Sequence, residues 1–136
     1  MIKYDREMLQ TFSKFEKVTG AKLKDIANHK DTLIFIVENG EMGKALGKGK
    51  KNIEKLRKVF NTNIKIVEFD TDEVQFVRNL LFPLKPENVQ EIGNEIIIQD
   101  SDRKTKGLII GAKASNLRNY ESIVQRYFDI NEIKVR

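Results

Sequence analysis

The sequence predicts an α+β protein made of two small domains that share one order of helices and strands. Residues 43–53 and 107–117 repeat a pattern of Gly, two residues, an aliphatic, Gly, four residues, Asn and an aliphatic, at a constant shift of 64 positions. Helical and strand-like apolar spacing also recurs in the same order in both halves. We therefore expect domains at residues 1–69 and 70–136, each with a three-stranded sheet and helices on one face.

The first half begins with a predicted helix at residues 5–18, where apolar side chains fall at helical spacing, and Gly20 is a natural end for it. Strands are predicted at residues 22–27 and 32–38 because β-branched and aromatic residues are frequent there. A turn at His29-Lys30-Asp31 joins these two strands.

The repeated segment predicts a pair of helices around a tight turn. In the first half a short helix leads to Leu46, the turn is Gly47-Lys48-Gly49-Lys50, and a second helix covers residues 51–60. Alternating apolar residues predict a closing strand at residues 63–69.

The second half repeats this order. Asp70, with Glu73 three positions later, predicts the start of a helix that Pro83 ends. Strands at residues 86–92 and 94–99 flank a Gly93-Asn94 turn. The remaining elements are a helix capped by Asp100-Ser101-Asp102, the turn Gly111-Ala112-Lys113-Ala114, a helix at residues 115–128 and a strand at residues 131–136.

The positive charge is concentrated in the first half. Residues 1–69 contain 15 Lys/Arg and 9 Asp/Glu, whereas residues 70–136 contain 10 and 11. Between residues 44 and 58 seven basic side chains are opposed only by Glu54. A solvated helix face is the simple explanation, but a basic cluster centred on a Gly-containing turn favours a polyanion site.

Composition excludes several classes of site. The absence of cysteine removes disulfides, thiolate metal sites and cysteine nucleophiles. No apolar run approaches the roughly 20 residues that a membrane helix needs. The first residues lack an apolar signal core, so we expect a cytoplasmic protein without a membrane partner.

The repeated segments resemble the KH domain, whose family pattern is an aliphatic residue and a Gly-x-x-Gly turn between two short helices. The order of elements is similar to the second topological type of that domain, and two such domains in tandem resemble the archaeal NusA-like transcription factors. The resemblance covers nearly the whole chain. It implies a factor in transcription elongation and termination that binds single-stranded RNA without a cofactor, a metal or catalysis, and that also has RNA polymerase or other transcription factors as possible partners.

The resemblance implies RNA-binding residues around both turns. In the first domain they are Lys44, Leu46, Gly47, Lys48, Gly49, Lys50, Lys51 and Ile53, and in the second Ile110, Gly111, Ala112, Lys113, Ala114, Ser115 and Arg118. We also expect an apolar groove for bases, for which plain core packing is the alternative at each position. Its candidates are Leu46, Ile53 and Ile36, and Ile110, Leu117 and Ile98.

Both turns depart from the family pattern at their last position. Lys50 and Ala114 stand where the family has its second glycine. If that position requires a positive φ or a close phosphate, the added Cβ is an obstruction. We expect the first turn to be the stronger RNA contact because its lysines add charge.

Other functions have less support in the sequence. The glycine spacing around Lys48 does not match a P-loop, and Asn52 stands where a dinucleotide fingerprint needs its third glycine. The single histidine, His29, has no second histidine or cysteine for a metal site. The main alternative is a protein–protein adaptor that docks on RNA polymerase with degenerate KH domains and little RNA affinity.

Overall fold

The structure, a computed structural model, describes residues 5–136, and the chain divides into two compact units, Met1–Phe69 and Asp70–Arg136. In the described part, each unit contains one three-stranded sheet and three α-helices, so the predicted α+β class is confirmed. Residues 1–4, where the sequence shows no apolar signal core, lie outside the described residues.

The first unit has one antiparallel and one parallel strand pair. Its elements are α1 (Arg6–Thr19), β1 (Leu23–His29), β2 (Thr32–Val37), α2 (Met42–Leu46), α3 (Lys51–Phe60) and β3 (Asn63–Glu68). The sheet order is β1-β2-β3, with β1 antiparallel and β3 parallel to β2. A parallel pair requires a crossover connection, and α2, the turn and α3 supply it.

Aromatic packing between α1 and β2 forms the centre of the first core. The rings of Phe15 and Phe35 are both fully buried and stack at 4.4 Å between centroids. The Asp5 carboxylate accepts a hydrogen bond from the Met8 N–H at 2.8 Å, which caps the start of α1. Gly20 ends α1 in the left-handed conformation, as its sequence position predicts.

The second unit repeats this topology. Its elements are α4 (Glu73–Leu81), β4 (Asn88–Ile92), β5 (Glu95–Gln99), α5 (Arg103–Ile110), α6 (Ser115–Val124) and β6 (Glu132–Val135). The sheet order is β4-β5-β6, with β4 antiparallel and β6 parallel to β5. The Phe76 ring is buried and meets Tyr127 edge-on at 5.6 Å between centroids.

Two local predictions are wrong. His29 is the last residue of β1, paired with Thr32, because the hairpin turn needs only Lys30 and Asp31. The cap of α4 is Asp72 rather than Asp70, since the Asp72 carboxylate accepts from the Val74 N–H at 3.1 Å. Asp70 instead accepts the Asp72 N–H at 2.8 Å and supports the cap from outside the helix.

The predicted helix at residues 115–128 is too long. The structure ends α6 at Val124, and after one further residue the N–H groups of Arg126 and Tyr127 donate to carbonyls only three residues back. Bonds of this type tighten and end a helix. The Gln125 side chain then donates to the Ile130 carbonyl at 3.3 Å, which holds the loop in place.

Candidate functional site

A glycine opens each turn in a conformation that other residues avoid. The first turn, residues 47–50, starts with Gly47 at φ 74° and ψ 173°, and the second turn, residues 111–114, starts with Gly111 at φ 73° and ψ 173°. This region of backbone space is essentially restricted to glycine. The first glycine of each turn is therefore required by the backbone itself.

Close packing gives a second reason for these glycines. A Cβ added to Gly47 would lie 2.7 Å from Asn52 Nδ2, and one added to Gly111 would lie 2.6 Å from Asn116 Nδ2. Real Cβ contacts are not this short. The asparagine side chain thus occupies the space that a larger residue at the turn would need.

Each asparagine joins the two helices on either side of its turn. Asn52 Nδ2 donates to the Lys44 carbonyl at 3.1 Å, and Asn116 Nδ2 donates to the Leu108 carbonyl at 3.0 Å. Carbonyls in the last turn of a helix have no intrahelical partner, so the amide supplies one. Asn52 is only 5% exposed, and its hydrogen bond to the exposed Lys44 is partly buried.

The last two residues of each turn are both left-handed. Gly49 and Lys50 have φ values of 64° and 59°, and Lys113 and Ala114 have 54° and 60°. The position at which the family glycine is missing therefore does have a positive φ. A residue with a Cβ costs about 1 kcal/mol there, so the second turn contains two such costs and the first turn one.

Unpaired lysines surround the first turn. Lys48, Lys50 and Lys51 are exposed, and within residues 5–136 none of the three has an ion-pair partner. Lys44, which precedes the turn, is 3.7 Å from the Glu41 carboxylate. The charge of the first turn is therefore available to a ligand.

The start of α3 is electrostatically unfavourable for these lysines. Lys50 is the N-cap residue and Lys51 the first residue of α3, where the positive end of the helix dipole disfavours cations. In the part of the chain that the structure describes, no side-chain hydrogen bond caps this helix, or α6 in the second unit. An anion at this position would satisfy N–H groups and offset the repulsion.

The second turn has mostly neutral side chains at the equivalent positions. Leu108 replaces Lys44 and is 50% exposed, while Ala112 replaces Lys48. Ser115 replaces Lys51, and its Oγ is buried with no hydrogen-bond partner among the described residues. Arg118 is 3.1 Å from the Glu121 carboxylate. Lys113 is the one basic residue within the second turn itself.

The predicted groove residues differ in accessibility. Leu46, Ile53 and Ile110 are half-buried beside the turns and can contact a ligand. Leu117 is 8% exposed, and Ile36 and Ile98 are fully buried. Ile36 and Ile98 therefore do not line a groove, and core packing, the alternative given for each position, is correct for these two residues.

The titratable groups outside the two turns include Glu73, whose pKa is shifted. The pKa of Glu73 is raised, mainly by burial and to a smaller extent by a side-chain hydrogen bond with Glu91 and by repulsion from the Glu91 charge. No cluster of three metal-binding side chains occurs within residues 5–136. Within that same range, the helices are too short or too polar to cross a bilayer.

Asn52 and Asn116 belong to the sequence repeat but have no predicted role. The pattern that could have identified them is the fixed Gly, four residues, Asn spacing, which occurs in both halves. In both copies the turn between the glycine and the asparagine contains two left-handed residues, and the asparagine side chain bonds back to the preceding helix.

Curated archaeal proteins resemble this chain over almost its full length. The chain is 31% identical over 137 residues to a probable transcription termination protein NusA of Methanococcus vannielii, covering 98% of this chain and 79% of that protein. The protein of the same name from Halococcus morrhuae is 31% identical, with 93% of each chain covered. The crystal structure of APE1850 matches with a TM-score of 0.74 and 29% identity, covering 97% of this chain and 99% of that one. No family model matches the chain.

Proposed function

The chain belongs to the archaeal family of probable transcription termination proteins NusA, and we propose that it is a transcription factor that binds single-stranded RNA, mainly through its first turn. We further propose that residues 1–69 and 70–136 are each a type II KH domain. The shared order of elements and the parallel pairing of the last strand support this assignment.

The observation that carries the proposal is the first turn itself. Lys48, Lys50 and Lys51 lie around an uncapped helix start and have no ion-pair partner in residues 5–136. Placing cations at the positive end of a helix costs stability unless an anion binds there. A phosphate group fits that position because it accepts N–H bonds and neutralises the lysines.

Two glycines of the first unit leave room for a nucleic-acid backbone. A Cβ added to Gly43 or Gly49 would meet nothing within 4 Å. Gly43 lies inside α2, where glycine is less stable than alanine by roughly 0.5–1 kcal/mol. Close approach of a ligand to the helix surface gives that glycine a purpose. The bases would then lie against Leu46 and Ile53, which are half-buried next to the turn.

For the second unit we propose a supporting RNA contact, weaker than that of the first. Gly111, Lys113 and the start of α6 repeat the backbone of the first turn, but only one lysine remains within the turn. The half-exposed Leu108 favours a second candidate function for this unit, which is docking on RNA polymerase or another protein of the transcription machinery.

Fluorescence anisotropy of a labelled single-stranded RNA of about ten nucleotides tests the proposal. The wild type and the Lys48→Asp/Gly49→Asp variant are compared at about 50 and 200 mM salt. Both positions are exposed, and aspartate tolerates the left-handed conformation of Gly49, so the fold should persist. Circular dichroism of the variant provides the control for folding.

We expect wild-type affinity to fall with salt at a log–log slope of about −0.7 per phosphate contacted. The variant should lose most of its affinity. Equal affinity of the two proteins would remove the first turn from the interface. A folded wild type without RNA affinity would favour the adaptor function instead.

A further inference from the structure

The outer face of α3 carries a row of lysines that leads away from the first turn. We propose that this lysine track, defined as Lys51, Lys55 and Lys58, is a second contact surface for RNA phosphates and lengthens the RNA segment bound by the first unit. The proposal rests on the proposed function, since the strand must first reach the turn.

The three lysines share one side of the helix. They are separated by four and three positions, a spacing that aligns side chains along one face of an α-helix. From the first to the third the track extends about 10 Å along the helix axis. It is continuous with the first turn, because Lys51 directly follows Lys50.

The track has no internal partner. Lys51, Lys55 and Lys58 are exposed, and within the described residues none of them forms an ion pair. The neighbouring Arg57 contrasts with them, since its Nη1 lies 2.6 Å from Glu54 Oε1. The only carboxylate of α3 is thus engaged by a residue beside the track.

The fold does not require these lysines. The equivalent positions of α6 are Ser115, Asn119 and Ser122, and α6 has the same length of 10 residues as α3. Like charges at i and i+4 also destabilise a helix. The lysines therefore add repulsion to α3, and the equivalent helix α6 folds without them. A ligand explains their presence better than the fold does.

The chemistry of the track favours a phosphate backbone as that ligand. Lysine acts as a flexible point charge and places no demand on the shape of its partner. A single strand leaving the turn presents phosphates at regular intervals, which matches a linear row of charges. An RNA strand bound at the first turn can continue directly along the track, which a separate polyanion cannot do.

Two RNA lengths test the proposal. A labelled strand of about four nucleotides matches the length that a KH turn binds, and one of about ten nucleotides extends beyond it. The test variant is Lys55→Gln/Lys58→Gln. The control is Lys14→Gln/Lys17→Gln, which removes the same charge from exposed positions of α1 in the same unit. Glutamine is a good helix former, so both variants should fold.

We expect Lys55→Gln/Lys58→Gln to weaken binding of the longer strand and to lower its salt slope by about 1.4, the value for two phosphate contacts. Binding of the short strand should match that of the control. Equal effects of the two variants on the longer strand, or an equal loss on both strands, would overturn the track. If the wild type binds the short strand and the track variant behaves like the control, the lysine track is overturned and the proposed function stays intact. If the wild type binds neither strand, the lysine track and the proposed function are both overturned.

Discussion

The two turns trace nearly the same backbone with different side chains. Both open with a glycine at φ near 74° and continue through two left-handed residues into an uncapped helix. Around that backbone the first unit places lysines and the second places Leu108, Ala112, Ala114 and Ser115. The shape of the turn is therefore set by features other than charge, and charge is free to differ between the units.

The features that set the shape are the glycine and the asparagine five positions later. Both copies retain this pair, and in both the amide binds a carbonyl of the preceding helix. The lysines are retained at none of the equivalent positions around the turn. The glycine and the asparagine therefore build the turn, whereas we propose that the lysines bind RNA.

The largest difference between the units should appear in RNA affinity. Lys48→Asp/Gly49→Asp should weaken binding about a hundredfold, because the charge-assisted contact of Lys48 is lost and two aspartates repel the phosphates. Ala112→Asp/Lys113→Asp in the second turn removes one lysine and adds two aspartates as well, but should weaken binding only about threefold, because we propose a weaker RNA contact there and exposed charges are screened. Anisotropy titrations of both variants against one RNA give the ratio of the two losses in affinity.

These two variants form a matched pair, since each places two aspartates at the same positions of the same backbone. Far-ultraviolet circular dichroism of both should equal that of the wild type. Equal losses of affinity would mean that the two turns contribute alike, and the difference in charge would then have no functional meaning.

A smaller effect should be the same in both units. Gly47→Ala should destabilise the protein through its backbone conformation and its clash with Asn52. In an Asn52→Ala background the clash disappears, so the two substitutions should couple by about 1 kcal/mol in the free energy of unfolding. Denaturant titration of the single and double variants measures this coupling.

The matched cycle in the second unit uses Gly111→Ala and Asn116→Ala, where the contact is equally close at 2.6 Å. Similar coupling in both units would identify the pair as the common framework of the turns. Strict additivity in either unit would mean that the asparagine moves aside at no cost, and the shared backbone would need another explanation.

The repeat made much of this architecture predictable. The bounds of α3 were predicted at residues 51–60, where the structure has Lys51–Phe60, because helical spacing and the end of the turn agree there. The end of α6 was missed because apolar spacing continues through Tyr127 after the helix has tightened and ended. Periodicity describes which face is apolar and does not reveal a change of hydrogen bonding.

The candidate site was predictable in its position and less so in its construction. Glycine spacing and charge pointed to Lys48 and its neighbours from the sequence alone. The contact between Gly47 and Asn52 depends on the path of a side chain beneath the turn, which spacing cannot reveal. The sequence could not place Ile36 for a related reason, since an aliphatic residue of a central strand can face the core or a groove with the same sequence pattern.

The smallest expected effect concerns strain in the second turn. Ala114 has a φ of 60°, so Ala114→Gly should remove about 1 kcal/mol of backbone strain, part of which is offset by the greater freedom of glycine when unfolded. We expect a net stabilisation of about 0.5 kcal/mol. Ala112→Gly is the control, because Ala112 has no positive φ and should only be destabilised.

Opposite signs for these two glycine variants in denaturant titrations would establish that the last position of the turn stores strain. The same destabilisation in both would show that the left-handed backbone costs Ala114 nothing. The comparison between the turns depends on this result, since Lys50 accepts the same conformation in the first unit. If the position is strained, it holds lysine in one turn and alanine in the other at a similar backbone cost. The two turns would then differ in side-chain chemistry and not in backbone strain.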